Sequence, residues 1–186
     1  MMDLVASGEA DAEEEADLDQ KMIDFEALMD RRPFLVNEVL LRRNPNDVQE
    51  WEKRVVLFGT DDEKIDETYQ MATETINPRK ATMNFHQLFI NWAKFFEQGG
   101  AAILEEDKAE KDLVSARKVY EKAVTIPFKR VDDLAEVWCS WAEMEVRNDC
   151  FDEAIAVMAK ATVTPRKTNI NFHDEVSGTS FFFRKS

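Results

Sequence analysis

Glycine and proline are scarce in this chain, five of each in 186 residues, and no glycine-rich turn joins two strand-like runs as hairpin-built sheets require. No segment alternates apolar and polar residues long enough to make a strand. Sheet folds are therefore set aside. Cysteine is scarcer still: Cys139 and Cys150 are the only two. They are too few for a disulfide framework and lack the two-residue spacing of a zinc site, so a reducing compartment is the natural reading. No apolar run approaches the roughly 20 residues that span a bilayer. The first residues are acidic where a secretory leader is basic, so the chain is expected to be soluble and intracellular. Basic charge is also short. The net charge is −14, and residues 1–30 hold eleven Asp or Glu against one Lys, which leaves −4 for the remainder. A free-standing nucleic-acid binder displays a basic face, and this chain as a whole does not.

Catalytic groups are equally thin. The two histidines are His86 and His173. A Cys150–His173 dyad can be drawn, but nothing in the pattern orients it. No glycine-rich phosphate loop is present. The acidic clusters Asp61–Glu63 and Glu105–Asp107 suit helix starts, where carboxylates meet the positive end of the helix dipole. No metal, cofactor or small-molecule substrate is expected, and the chain reads as a non-enzyme.

What the chain has is a recurring unit. With 44% hydrophobic residues it can bury a real core. Three times an aromatic-rich amphipathic stretch is followed by a second one with a common ending. The endings are Tyr69, Ala72 and Pro78; Tyr120, Ala123 and Pro127; Met158, Ala161 and Pro165. The opening stretches carry Trp51, then Phe89 and Trp92, then Trp138 and Trp141. A period of about 40 to 50 residues implies stacked helix pairs, an architecture that makes surface rather than a catalytic pocket. Large rings supply the buried area, small alanines let helices approach, and prolines end the second helix of each pair.

The elements follow from caps and periodicity. Residues 1–16 are acidic, poor in large apolar groups, and expected to lack regular structure. Leu18, Met22, Phe25 and Met29 then mark a helix over 17–29, and Pro33 suits the first turn of another, over 34–43. Asp47 caps a helix that stops at Gly59, and Asp61 or Asp62 caps its partner. Phe85 to Phe96 form the next, ended by Gly99 and Gly100. Its partner shows Ala109, Leu113, Ala116, Tyr120 and Ala123 on one face. The third pair runs over 132–147 and 151–161. The reading is an all-α right-handed superhelical solenoid over residues 17–165, with three clear antiparallel pairs and a preceding one. An acidic lead precedes it over 1–16, and a tail without helical period follows over 166–186.

The run Ala116-Arg-Lys-Val-Tyr-Glu-Lys-Ala123 with Pro127 resembles the signature of the half-a-TPR (HAT) repeat. The tetratricopeptide pattern, with its tighter period of about 34 residues, fits less well. The runs Arg31–Pro45, Val48–Val55 and Phe128–Cys139 look like a central section of the SYF-type pre-mRNA splicing factors, also called the XPA-binding protein family. That likeness covers about residues 17–166 and leaves the tail outside. It implies a non-enzymatic protein-interaction scaffold in the nucleus, part of the NineTeen-associated complex of the spliceosome. It also implies spliceosomal protein partners, minor RNA contact and a link to transcription-coupled DNA repair. The competing readings are a general peptide-binding TPR-like adaptor and an inactive truncated piece. One surface feature stands out: basic pairs flank each closing proline, Arg79 with Lys80, Lys129 with Arg130, and Arg166 with Lys167. They either complement helix C-termini or form a basic edge that faces a partner.

Overall fold

The computed structural model describes residues 3–100 and 111–163, with side chains from residue 17 onward. Every regular element among them is an α-helix: α1 (Asp3–Arg43), α2 (Val48–Leu57), α3 (Asp62–Thr75), α4 (Phe85–Gln98), α5 (Leu113–Ala123), α6 (Val131–Arg147) and α7 (Phe151–Ala161). They fall into two units, α1 in the first and the helices beyond Asn44 in the second.

The first unit corrects two expectations. Pro33 lies inside α1, not at the start of a separate helix, so the preceding helix pair is one continuous helix. An interior proline removes one backbone hydrogen bond at a cost of about 3 kcal/mol. The surrounding Glu26, Ala27, Leu28, Met29, Arg31 and Arg32 are strong helix formers, and they carry the helix through it. Residues 3–16, expected to lack regular structure, belong to the same helix. Low hydrophobicity argues against burial, but the run of Ala and Glu over residues 9–16 has helical propensity of its own.

In the second unit three helices, α2, α3 and α5, begin where a carboxylate caps them. Asp47 accepts the backbone N–H of Gln49 at 3.1 Å, Asp61 that of Lys64 at 3.2 Å, and Asp112 that of Ser115 at 2.9 Å. At the end of α4, Gly99 takes the left-handed conformation (φ 79°), and its N–H closes on the Phe96 carbonyl. A β-carbon would resist that geometry, which is why glycine stands there.

Packing then follows the repeat. The helices pair as α2 with α3, α4 with α5, and α6 with α7. Between pairs, α4 touches both α2 and α6, while α3 packs on α4 and α5 packs on α6. The rings of the signature sit at these junctions. Tyr69 of α3 stacks on Trp92 of α4, with centroids 6.0 Å apart and planes 16° apart. One repeat later Tyr120 of α5 stacks on Trp141 of α6 at 5.8 Å and 5°. Such a pair adds about 0.5–1.5 kcal/mol beyond the burial of its area. Ala72 and Ala123, both fully buried, let the paired helices close around the stacked rings. Each of the three buried indoles also finds an acceptor: Trp51 Nε1 donates to the Pro45 carbonyl, Trp92 Nε1 to Asp66, and Trp141 Nε1 to Glu145.

The residues that the sequence offers as the repeat core differ in burial. Trp51, Tyr69, Ala72, Phe89, Trp92, Tyr120, Ala123 and Trp141 are buried. Trp138 is half-buried, stacked on the outer face of Trp141 at 5.6 Å. Met158 and Ala161 are half-buried as well. They occupy the positions of Tyr120 and Ala123 in the last described pair, and no further pair among the described residues covers them. The alanine positions should therefore differ in tolerance. Ala123→Leu should destabilise the chain by about 2 kcal/mol or more through overpacking, whereas Ala161→Leu should stay within about 0.5 kcal/mol. Urea midpoints of the two variants check this, and equal losses would refute the junction role of Ala123.

Candidate interaction surface

Hydrogen bonds join successive helix pairs at the period of the sequence. Lys129 Nζ donates to the Ala81 carbonyl, Lys122 Nζ to Thr73 Oγ1, and Arg147 and Asn148 to Glu97. His86 Nε2 lies 2.9 Å from Glu136 Oε2. These links span 48 to 51 residues each, one repeat. Lys122 also sits 5.5 Å above the Trp92 ring, where the π-face attracts its charge.

The deepest of the charged groups is Glu145, 1% exposed, on the apolar face of α6. Arg117 of α5 donates to both of its oxygens, at 2.8 and 2.7 Å, and Trp141 donates from a third direction. A buried carboxylate without such donors would be strongly destabilising. The hydrogen bonds from Arg117 hold the Glu145 carboxyl below the ordinary carboxylate range, against the opposing effect of burial. At Glu97 burial pushes the carboxyl up, but the hydrogen bonds from Arg147 and Asn148 outweigh it and the net direction is down.

His86 is 4% exposed between α4 and α6. Glu136 faces one ring nitrogen, and Asp133 lies 3.4 Å from the other, within ion-pair reach but without hydrogen-bond geometry. Burial pushes the Asp133 carboxyl up, opposed by the charges of His86 and Arg130. The two carboxylates flank opposite sides of the ring and do not converge on a point. Among the described residues no group of three His, Cys, Asp or Glu side chains could hold a metal ion, and no helix is long and apolar enough to cross a membrane.

The two thiols differ in setting. Cys139 is half-buried in α6, and burial pushes its thiol up. Cys150 is half-buried too, but it precedes α7 as its N-terminal cap, with Sγ 3.4 Å from Arg117 Nη2. His173 and Glu105–Asp107 lie outside the described residues.

The basic turns come together at one edge of the second unit. Arg79 and Lys80 are exposed in the turn after α3, and Lys129 and Arg130 are exposed in the turn before α6. The Lys129–Ala81 hydrogen bond ties the two turns directly. Between them lies a cleft of about 400 Å3, lined by Pro78, Met83, Phe85 and Phe128 among others, with Lys129 and Arg130 at its margin. Lys129 meets a loop carbonyl, not a helix C-terminus, and Arg130 pairs with Asp132 in the first turn of the helix it precedes. Neither contact is the helix-end complement that the sequence offered as one reading. Arg166 and Lys167 lie outside the described residues.

Two family models tile the chain. The middle HAT repeat of pre-mRNA-splicing factor SYF1 matches residues 1–76, and the Syf1/CRNKL1 C-terminal HAT repeat matches residues 78–184. The chain belongs to the Syf1 family of HAT-repeat pre-mRNA-splicing factors. Pre-mRNA-splicing factor SYF1 of Mycosarcoma maydis is 58% identical over 191 residues, covering 90% of this chain and 18% of that protein. Its counterpart in Homo sapiens is 43% identical over 155 residues, covering 83% and 17%. Pre-mRNA-splicing factor cwf3 of Schizosaccharomyces pombe is 37% identical over 171 residues, covering 92% and 20%. The chain thus spans about a fifth of the length of these Syf1 relatives. The family match runs to residue 184, past the boundary that the missing helical period draws at 165.

Membership in the Syf1 family agrees with the signature residues, yet the sequence reading missed the charged junctions. Glu97, Glu136, Glu145 and Arg147 were not singled out. One signal was available: Glu145 follows Trp141 by four residues, an acid placed on an apolar stripe. Arg117, inside the HAT signature, is its partner.

Two outcomes follow from this pairing. Arg117→Met should cost about 3–5 kcal/mol, because it strands a buried carboxylate, and Glu145→Gln in the same chain should recover part of that loss. Urea denaturation of the single and double variants measures both. Carboxylates whose folded pKa is depressed stabilise above the unfolded value of about 4.3 and lose that contribution as pH falls through the folded one. The melting temperature should therefore drop below about pH 4, less steeply in Glu145→Gln. An unchanged slope in that variant would contradict the assignment.

Proposed function

We propose that this chain is a non-enzymatic protein-interaction scaffold of nuclear pre-mRNA splicing, working within the NineTeen-associated complex without cofactor or small-molecule substrate. Its relatives carry the name of splicing factors, and the family models that match are of HAT repeats, stacked helix pairs whose product is interaction surface. One observation carries the reading for this chain. Among the described residues, the buried carboxylates Glu145 and Glu97 are each held by an arginine of another helix, Arg117 and Arg147. Groups held in such pairs make a rigid stack and are not poised to move protons or attack a substrate. What remains for partners is surface, and the basic turns are its most distinctive part.

Purification of the tagged chain from splicing-competent nuclear extract tests the proposal. Spliceosomal proteins should co-purify, identified by mass spectrometry, and should fall at least about fivefold with a chain carrying Trp92→Ala and Trp141→Ala, whose junctions are broken. Equal recovery by intact and broken chains, or none by either, would overturn the scaffold role.

A further inference from the structure

The cleft between the basic turns has a composition of its own. Its floor is apolar, with Pro78, Phe85 and Phe128, and Met83 stands at its side 76% exposed. Its margin is cationic. Arg79 and Lys80 project from the turn between the lining residues Pro78 and Ala81, and neither has an ion-pair partner among the described residues. Lys129 and Arg130 line the cleft as well, Lys129 bonded to the Ala81 carbonyl and the half-exposed Arg130 engaged through one nitrogen with Asp132. The acid of the lining, Asp133, is turned to His86. A cationic rim in a chain of net charge −14 is not a by-product of overall composition.

We infer that this cleft docks an extended acidic segment of a partner protein, with one aliphatic side chain seated beside Met83 and carboxylates on Arg79, Lys80 and Arg130. The inference rests on the scaffold reading and names the chemistry of one partner. Charge complementarity selects an acidic ligand, because Lys129 and Arg130 line the cleft, Arg79 and Lys80 stand exposed in the adjoining turn, and each carboxylate–cation contact steers the approach. The apolar floor selects a protein over RNA. A cleft of about 400 Å3 takes an aliphatic anchor and one neighbour. Bound RNA bases stack on exposed aromatic faces, whereas Phe85 and Phe128 are buried against each other, 5.9 Å apart and edge to face. Arginines present planar forks that take carboxylates two oxygens at a time, which suits Arg79 and Arg130 to this role.

Fluorescence anisotropy with the whole chain decides the matter. The probe is a short labelled peptide of glutamate and aspartate around a central leucine. It should bind the wild-type chain, more weakly at higher salt. Arg79→Glu, Lys80→Glu and Arg130→Glu together should weaken it about tenfold or more, and Met83→Ser about threefold. Lys129 is left intact because it holds the two turns together, and circular dichroism verifies that each variant keeps its helices. A peptide with serine for leucine, or a neutral peptide that keeps the leucine, should bind at least about fivefold more weakly. If either binds as well as the probe, or if the probe does not bind at millimolar concentration, the inference fails. It fails equally if oligouridylate binds more tightly and displaces the peptide. The extract experiment reads the scaffold role through intact junctions, so a cleft that binds nothing and a chain that scaffolds nothing give separate results.

Discussion

Everything in the helical array depends on one contact, a tyrosine from the second helix of one pair lying flat on a tryptophan from the first helix of the next. Tyr69 on Trp92 and Tyr120 on Trp141 are the same interaction one repeat apart. The contact works only if the helices approach closely, which Ala72 and Ala123 permit, and only if the indole N–H groups are satisfied, which Asp66 and Glu145 ensure. An unpaired N–H in that setting would cost about 1–3 kcal/mol, roughly what the ring gains by burial. Aromatic and acid are therefore parts of a single device.

The same economy explains where the charge went. Glu145 takes one donor from Trp141 and two from Arg117, so one carboxylate closes an indole and joins two helices. Glu97 does the equivalent work for Arg147 and Asn148 between α4 and α6. Buried ion pairs of this kind add little net stability over apolar replacements, but a misaligned neighbour would strand a charge in the interior. Their contribution is to fix the register between pairs, which a stack of similar apolar stripes would leave loosely defined.

The fold was legible because it is local. Caps at Asp47 and Asp61, the glycine stop after α4 and the spacing of rings and alanines are short-range signals, and they located the helices after Asn44, while the cap at Asp112 was not read from the sequence. The reading failed at Pro33 and over residues 3–16, where propensity carried α1 through a proline and through a segment with nothing to bury. The candidate surface was half legible. Basic pairs beside prolines are visible in the chain, but their meeting depends on residues nearly 50 apart coming into register, as Lys129 and Ala81 do. The pairing of Arg117 with Glu145 has the same character: each residue has an ordinary surface type, and only the stacked fold turns them toward each other.

The place where the two family models meet has a further meaning. It falls at Asn77, yet Asn77 N–H donates to Asn46, Val48 N–H to Thr82, and Asn91 to Glu52, and Lys122 reaches back to Thr73. These polar links, the Trp92–Asp66 hydrogen bond and the Tyr69–Trp92 stack join the two sides of that point. A border drawn where two descriptions of sequence happen to abut is thus a bonded junction of the structure and not a gap in it. Anyone dividing such an array for expression would do better to cut by its hydrogen bonds than by its family names, since a break at residue 77 gives each half an open aromatic wound.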